Sequence, residues 1–114
     1  MRSNFYVGVP DSKLKEYLKD KSYLVATNEG EAIGIATGYY LATGNSANVF
    51  MSADGFCNAL NPLTSLVMPY QIEMNLIIAV RTDEPQHKVM GEKAVQIMND
   101  ICGKGIVTFN YIIL

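Results

Sequence analysis

Short apolar runs alternate with helical patterns along the whole chain, and this alternation constrains the fold more than any other feature. NFYVGV at 4–9, SYLVAT at 22–27, ANVFMS at 47–52, MNLIIAV at 74–80 and IVTFNYIIL at 106–114 read as strands. Between them, residues 11–20 put Leu14, Tyr17 and Leu18 on one helical face. Residues 55–66 read as a helix interrupted near Pro62 or as two short ones, and residues 88–102 repeat Met90, Ala94, Ile97, Met98 and Ile101 at helical spacing before Gly103 to Gly105 close the helix. Strand and helix in strict order, joined by short links, predict a three-layer α/β/α fold. Its sheet is mostly parallel, with right-handed crossovers and helices on both faces. The 74–80 run is apolar nearly throughout, as a central strand covered on both sides should be.

The stretch from Asn28 to Gly44, NEGEAIGIATGYYLATG, is the most specific of the helical segments. Asn28 is a good N-cap, Glu31 stands three residues later where a capping-box carboxylate belongs, and Gly44 suits the C-terminal stop. Gly30, Gly34 and Gly38 recur at a spacing of four, and Ala42 continues the row. Each interior glycine costs about 1 kcal/mol relative to Ala. A helix that keeps three on one face is expected to need that face smooth for another backbone. Glu29 is then a surplus acid at a strand-to-helix corner.

In a parallel sheet of this kind, ligands bind at the carboxyl ends of the strands. Those ends are 8–12, 27–30, 52–58 and 81–87, and they hold most of the chemically useful side chains. Position alone favours a helix-dipole role for Glu29, with a partly buried acid tuned for proton transfer as the sharper alternative. Asp11 and Ser12 are ordinary N-cap residues that also face this edge. His87, the only histidine, is either an idle loop residue or a general acid or anion contact. Arg81 either binds an anion bidentately or closes its strand with a solvated charge. Asp54-Gly55 followed by Asn58 invites a magnesium reading. However, Ala53 stands where the usual GDG motif has its first glycine, and the Asn follows too soon, so a turn with an N-cap is expected and no metal ligand is assigned. No P-loop or GxGxxG follows any strand.

Composition removes several function classes. The 114 residues make one domain, 49% apolar and 18% charged. A formal net charge of −2 with no Lys/Arg run gives no footprint for nucleic acid. No apolar stretch approaches the roughly 20 residues of a membrane span. The N-terminal MRSNFYVGVPDS lacks a signal-peptide core, and Cys57 and Cys102 form no CxxC, so free thiols and a cytoplasmic location are expected. The six methionines suit core gap-filling.

Five corners together resemble one family. GVPDS at 8–12, NEG at 28–30, GYYLATG at 38–44, NALNPLTSL at 58–66 and DEPQH at 83–87 are similar to phosphonopyruvate decarboxylase, with the sulfopyruvate decarboxylase alpha subunit as a close relative. DEPQH and NPLTSL favour the phosphonopyruvate branch. Both are thiamine-diphosphate enzymes, and the matched region is similar to their N-terminal, pyrimidine-binding domain. The resemblance implies that residues 1–114 form that single domain. It makes Glu29 the catalytic acid that hydrogen-bonds the pyrimidine ring nitrogen and promotes the imino form that generates the reactive ylid. Asn58 is implied beside the cofactor, and Asp11, Ser12 and His87 as contacts to a small 2-oxo acid substrate. Thiamine diphosphate and Mg²⁺ are the implied cofactors. The Mg²⁺ ligands belong to a diphosphate-binding domain that is absent here, supplied by a beta-type subunit or cut away. A homodimer or larger assembly through the 28–44 helix is implied, and the chain alone is expected to be catalytically silent. Two corners depart from the family. Arg81-Thr82 runs straight into DEPQH where a longer WRGEP-like segment is usual, and MSADG at 51–55 replaces a corner similar to MQNSG. Both lie at the substrate edge, which leaves sulfopyruvate as the alternative substrate and a non-catalytic remnant as the alternative role.

Overall fold

A computed structural model describes residues 2–102 and 109–114. Five strands form one all-parallel sheet in the order β2-β1-β3-β4-β5. The strands are β1 (Arg2–Gly8), β2 (Leu24–Val25), β3 (Ser46–Ser52), β4 (Met74–Ala79) and β5 (Phe109–Ile113). The helices between them are α1, a 3-10 turn Ser12–Leu14 continuing into Lys15–Leu18, then α2 (Glu29–Thr43), α3 (Phe56–Pro62) and α4 (Pro85–Cys102). The expected closure of the last helix at Gly103 to Gly105, and the start of the last strand at 106–108, lie outside the described residues.

Side chains of β3 and β4 divide the core by their period of two. Val49 and Met51 with Leu76 and Ile78 face Ala32, Ile33 and Ala36 of α2, Phe56 and Ala59 of α3, and Ala94 and Met98 of α4. Phe50, Ile77 and Ala79 face the other way, against Leu14 and Leu18 of α1. Helices therefore lie on both faces as expected, but unevenly. β4 is buried along its length apart from half-buried Asn75, and it pairs with β3 in unbroken register from Ala47–Met74 to Ser52–Ala79, as a central strand should.

Three elements differ from their sequence patterns. The strand expected over 22–27 shrinks to Leu24–Val25, because only the end of β1, at Val7 and Gly8, pairs with it. The helix expected over 11–20 begins as a 3-10 turn and stops at Leu18. The interruption expected near Pro62 is a change of winding: α3 passes through Pro62 and continues as a π turn over Leu63–Val67. There Met68 N–H donates to the Leu63 carbonyl at 3.0 Å and Ile72 N–H to the Val67 carbonyl at 2.9 Å. Proline has no N–H for the carbonyl four residues back, which is that of Asn58. Among the described residues, no helix is long and apolar enough to cross a membrane.

Candidate functional site

The carboxyl ends of β1, β2, β3 and β4 lead into the loops and helix starts that carry Asp11, Ser12, Glu29, Asn58, Arg81 and His87, because a parallel sheet delivers all its carboxyl ends to one edge. Within that edge the side chains form three groups.

The first group is built on the start of α2. Asn28 has extended backbone at φ −153°, and its Oδ1 accepts from Glu31 N–H at 2.9 Å, the expected N-cap. The reciprocal half of the box is displaced by one residue: Glu31 Oε1 accepts from Thr27 N–H at 2.7 Å rather than from Asn28. With Glu31 occupied by the cap, Glu29 is left to turn inward, and it is only 8% exposed. Its Oε1 accepts from Asn58 Nδ2 at 3.0 Å. A Cβ on Gly55 would lie 1.9 Å from Glu29 Oε2, so only glycine leaves room for the carboxylate there. Gly30 is crowded too: a Cβ there would lie 2.9 Å from the Asn58 carbonyl oxygen. The first turn of α2 thus packs on α3 through two glycines and holds a buried acid by one neutral donor.

The second group joins the loops after β1 and β4. Arg81 donates to Asp11 Oδ2 at 3.1 Å and to Ser12 Oγ, and its other terminal nitrogen is 3.6 Å from Glu84 Oε1. Lys13 Nζ donates to the Val80 carbonyl across the same gap. Arg81 Nε is buried and, among the described residues, has no hydrogen-bond partner. A cavity of about 320 Å³ is lined by Ser12, Lys13, Arg81, Asp83 and Glu84. Neither reading of Arg81 describes this arrangement: the charge that follows the strand is not solvated but only 19% exposed and paired with Asp11 and Glu84 of this chain. Asp11 and Ser12 are held by it.

The third group is His87 with Asp54, whose Oδ2 contacts His87 Nδ1. His87 is not in a loop. α4 begins at Pro85, a favoured first helical residue, and the Glu84 carbonyl accepts from His87 N–H at 2.9 Å and Lys88 N–H at 3.0 Å. Asp54 sits in the 3-10 turn Ala53–Gly55, capped by Ser52, whose Oγ accepts from Gly55 N–H at 3.3 Å. Among the described residues, no group of three or more His, Cys, Asp or Glu side chains could hold a metal ion.

Glu29 and Asn58 thus meet, Asp11 and Ser12 meet through Arg81, and His87 meets Asp54. Sequence reasoning missed the structural use of Gly55 and Gly91. A Cβ on Gly91 would lie 2.2 Å from the Arg81 carbonyl oxygen, so this glycine lets α4 cross close over the end of β4. The signal in each case was a glycine at a strand end or inside an amphipathic helix, where packing rather than turn chemistry requires it.

No family model matches the chain. Among curated proteins it is 38% identical to a phosphonopyruvate decarboxylase from Streptomyces viridochromogenes, over 70% of this chain and 21% of that protein. It is 40% identical to a sulfopyruvate decarboxylase subunit alpha from Methanocaldococcus jannaschii, over 70% of this chain and 50% of that protein, and 36% identical to the corresponding subunit from Methanococcus maripaludis, of which it covers 51%. The resemblance carried by the five corners is therefore found again over most of the chain, while the chain spans about a fifth to a half of the length of these relatives. A solved structure of a candidate thiamin diphosphate-dependent enzyme from Mycobacterium smegmatis superposes with a TM-score of 0.64 over 97% of this chain and 27% of that one, at 18% identity. The α/β fold is shared with it.

Proposed function

We propose that this chain is the pyrimidine-binding half of a thiamine-diphosphate-dependent 2-oxo acid decarboxylase that converts phosphonopyruvate to phosphonoacetaldehyde and CO₂. One observation carries the reading: Glu29, a carboxylate only 8% exposed, is held at a helix N-terminus by the neutral amide of Asn58, in a crevice that Gly55 keeps open. A bare helix-dipole acid needs neither burial nor such a cradle. This donor set fits an aminopyrimidine, which requires an acid beside its ring nitrogen.

When bound, thiamine diphosphate supplies the electron sink that decarboxylation of a 2-oxo acid needs. The chain's own residues would do the rest of this half. Glu29 holds a proton against the pyrimidine nitrogen, and Asn58 fixes the carboxylate's orientation. Asp11, Ser12 and His87 meet the substrate at the same edge. Mg²⁺ and the diphosphate belong to a second domain outside these 114 residues, on a beta-type subunit or on a continuation of the chain. The open face of α2 is the surface through which a homodimer or larger assembly would form, in the cytoplasm.

Sulfopyruvate is the second reading. It is favoured by the larger share, about half, that the chain covers of the sulfopyruvate decarboxylase alpha subunits. The test is reconstitution with a diphosphate-domain subunit, titration of thiamine diphosphate and Mg²⁺, and assay of both acids. Cofactor binding only in the assembly, with CO₂ release from phosphonopyruvate, supports the proposal. Release from sulfopyruvate alone replaces the substrate, and absence of cofactor binding in the assembly leaves the chain as a non-catalytic interaction remnant.

A further inference from the structure

The pairing of Asp54 with His87 has no place in the reading above, which uses His87 alone. We propose that Asp54 is a positioning residue for His87: its carboxylate holds the imidazole through Nδ1, so that Nε2 is the nitrogen left to meet a ligand.

Both partners are fixed from behind. Asp54 stands in a turn pinned by Ser52, and His87 stands in the first turn of α4, whose approach to β4 depends on Gly91. Three residues further along each segment, Cys57 Sγ of α3 lies 3.9 Å from Met90 Sδ, so α4 touches first the 3-10 turn and then the start of α3. The side chains of Asp54 and His87 are 36% and 23% exposed, so the pair is partly covered but still reachable from solvent. Asp54 also belongs to the MSADG corner, one of the two places where the chain departs from the motifs it resembles.

The chemical consequence follows from the inventory of a histidine ring. A neutral imidazole carries one N–H, and a carboxylate can only accept. The Nδ1 contact therefore selects the tautomer with the proton on Nδ1 and a lone pair on Nε2. The two nitrogens lie on opposite sides of the ring, so anchoring Nδ1 turns Nε2 away from Asp54. Nε2 can then take a proton and return it while the Nδ1 proton stays in place, with Asp54 offsetting the charge of the protonated ring. An exposed pair that was only a surface ion bridge would contribute about 0–1 kcal/mol and would have no such role.

The chain contains a single histidine, so nitrogen-15 NMR of the full chain reports on His87 without assignment. At a pH that keeps the ring neutral, the wild type is expected in the Nδ1–H form. Asp54→Asn, whose amide oxygen still accepts, should retain that form, and Asp54→Ala should invert the tautomer ratio. A wild-type spectrum dominated by the Nε2–H form overturns the proposal, as does an unchanged ratio in a folded Asp54→Ala. If that variant does not fold, the wild-type spectrum decides alone. The role in turnover rests on the decarboxylase reading and is measured separately. In the reconstituted enzyme, Asp54→Ala should lower kcat by at least about tenfold with little change in KM, a part of the roughly hundredfold or more that a positioned acid–base group contributes. Wild-type turnover by that variant overturns the role in catalysis. If the wild-type assembly is inactive on both acids while the tautomer behaves as stated, the positioning stands and the decarboxylase reading falls.

Discussion

The two ends of α2 use the same residue for opposite purposes. At its first turn, Gly30 faces the Asn58 carbonyl, Glu29 is buried, and Gly55 of the neighbouring element leaves room for the carboxylate. One and two turns later, at the same spacing of four, Gly34 and Gly38 have, apart from their own helix and among the described residues, nothing within 4 Å of the place a Cβ would occupy, and Leu41 nearby is 70% exposed. The contrast teaches that a glycine row in sequence is not one structural device. Its first member lets the start of α2 pack against the Asn58 carbonyl inside the chain. Among the described residues nothing packs where a Cβ of the others would stand, and that leaves their helix face open.

The largest expected effect at the crowded end is chemical. Glu29→Gln keeps the size of the side chain and an oxygen for Asn58 Nδ2, so the fold and the unfolding midpoint should survive. It removes the carboxylate, and turnover in the reconstituted enzyme should fall by about a thousandfold, in the range of a lost acid–base group. Substantial turnover would break the assignment of this end as the site. Gly55→Ala comes next, and it separates function from stability. The three atoms nearest the new Cβ all belong to the Glu29 side chain rather than to backbone, so a change of side-chain rotamer can relieve the contact. The midpoint should move by less than about 4 °C, under about 1 kcal/mol for a chain of this size. Turnover should still drop by about tenfold or more, because the displaced carboxylate no longer sits against its ligand. Calorimetry and assay of the same preparation check both halves.

How much of this contrast was legible in the sequence depends on how local each cause is. The boundaries of α2 were readable because Asn28, Glu31 and Gly44 act within a turn of themselves, and Gly44 indeed takes φ +76°. The central place of β4 was readable from its unbroken apolar run. The two-residue length of β2 was not, since it is set by how much of β1 pairs with it. The π turn after Pro62 and the helical placement of His87 were also missed, since each depends on neighbours that the local pattern does not name. At the candidate site, the residues stood out in sequence by type and by strand end. Their pairing through Arg81 and Asp54 did not, because it joins positions 70 and 33 residues apart.

Gly30→Ala tests the crowded end by stability alone. Here the obstacle is the Asn58 carbonyl oxygen at 2.9 Å, a backbone atom that cannot rotate away. Helix propensity gains up to about 1 kcal/mol from the change, while overpacking costs about 1–3 kcal/mol. Loss should prevail, and the midpoint should fall by about 4–8 °C for each net kcal/mol. A midpoint at or above wild type would mean that α2 and α3 can part without cost, and the crevice around Glu29 would not be rigid.

The smallest effect, and the one that defines the open face, belongs to Gly34→Ala and Gly38→Ala. With nothing to meet the added methyl, each should stabilise the isolated chain by about 0.4–1 kcal/mol, through helix propensity and a less flexible unfolded state. That sign is opposite to Gly30→Ala, although the three substitutions are identical in sequence terms. Denaturant midpoints of the isolated chain read this directly. In the assembly the order should reverse. If the row is smooth so that a partner helix can come close, the same methyls weaken association, and sedimentation of the double variant with its partner should show it. A double variant that is both more stable alone and fully able to assemble would leave Gly34 and Gly38 without a packing reason and restrict the structural use of the row to Gly30.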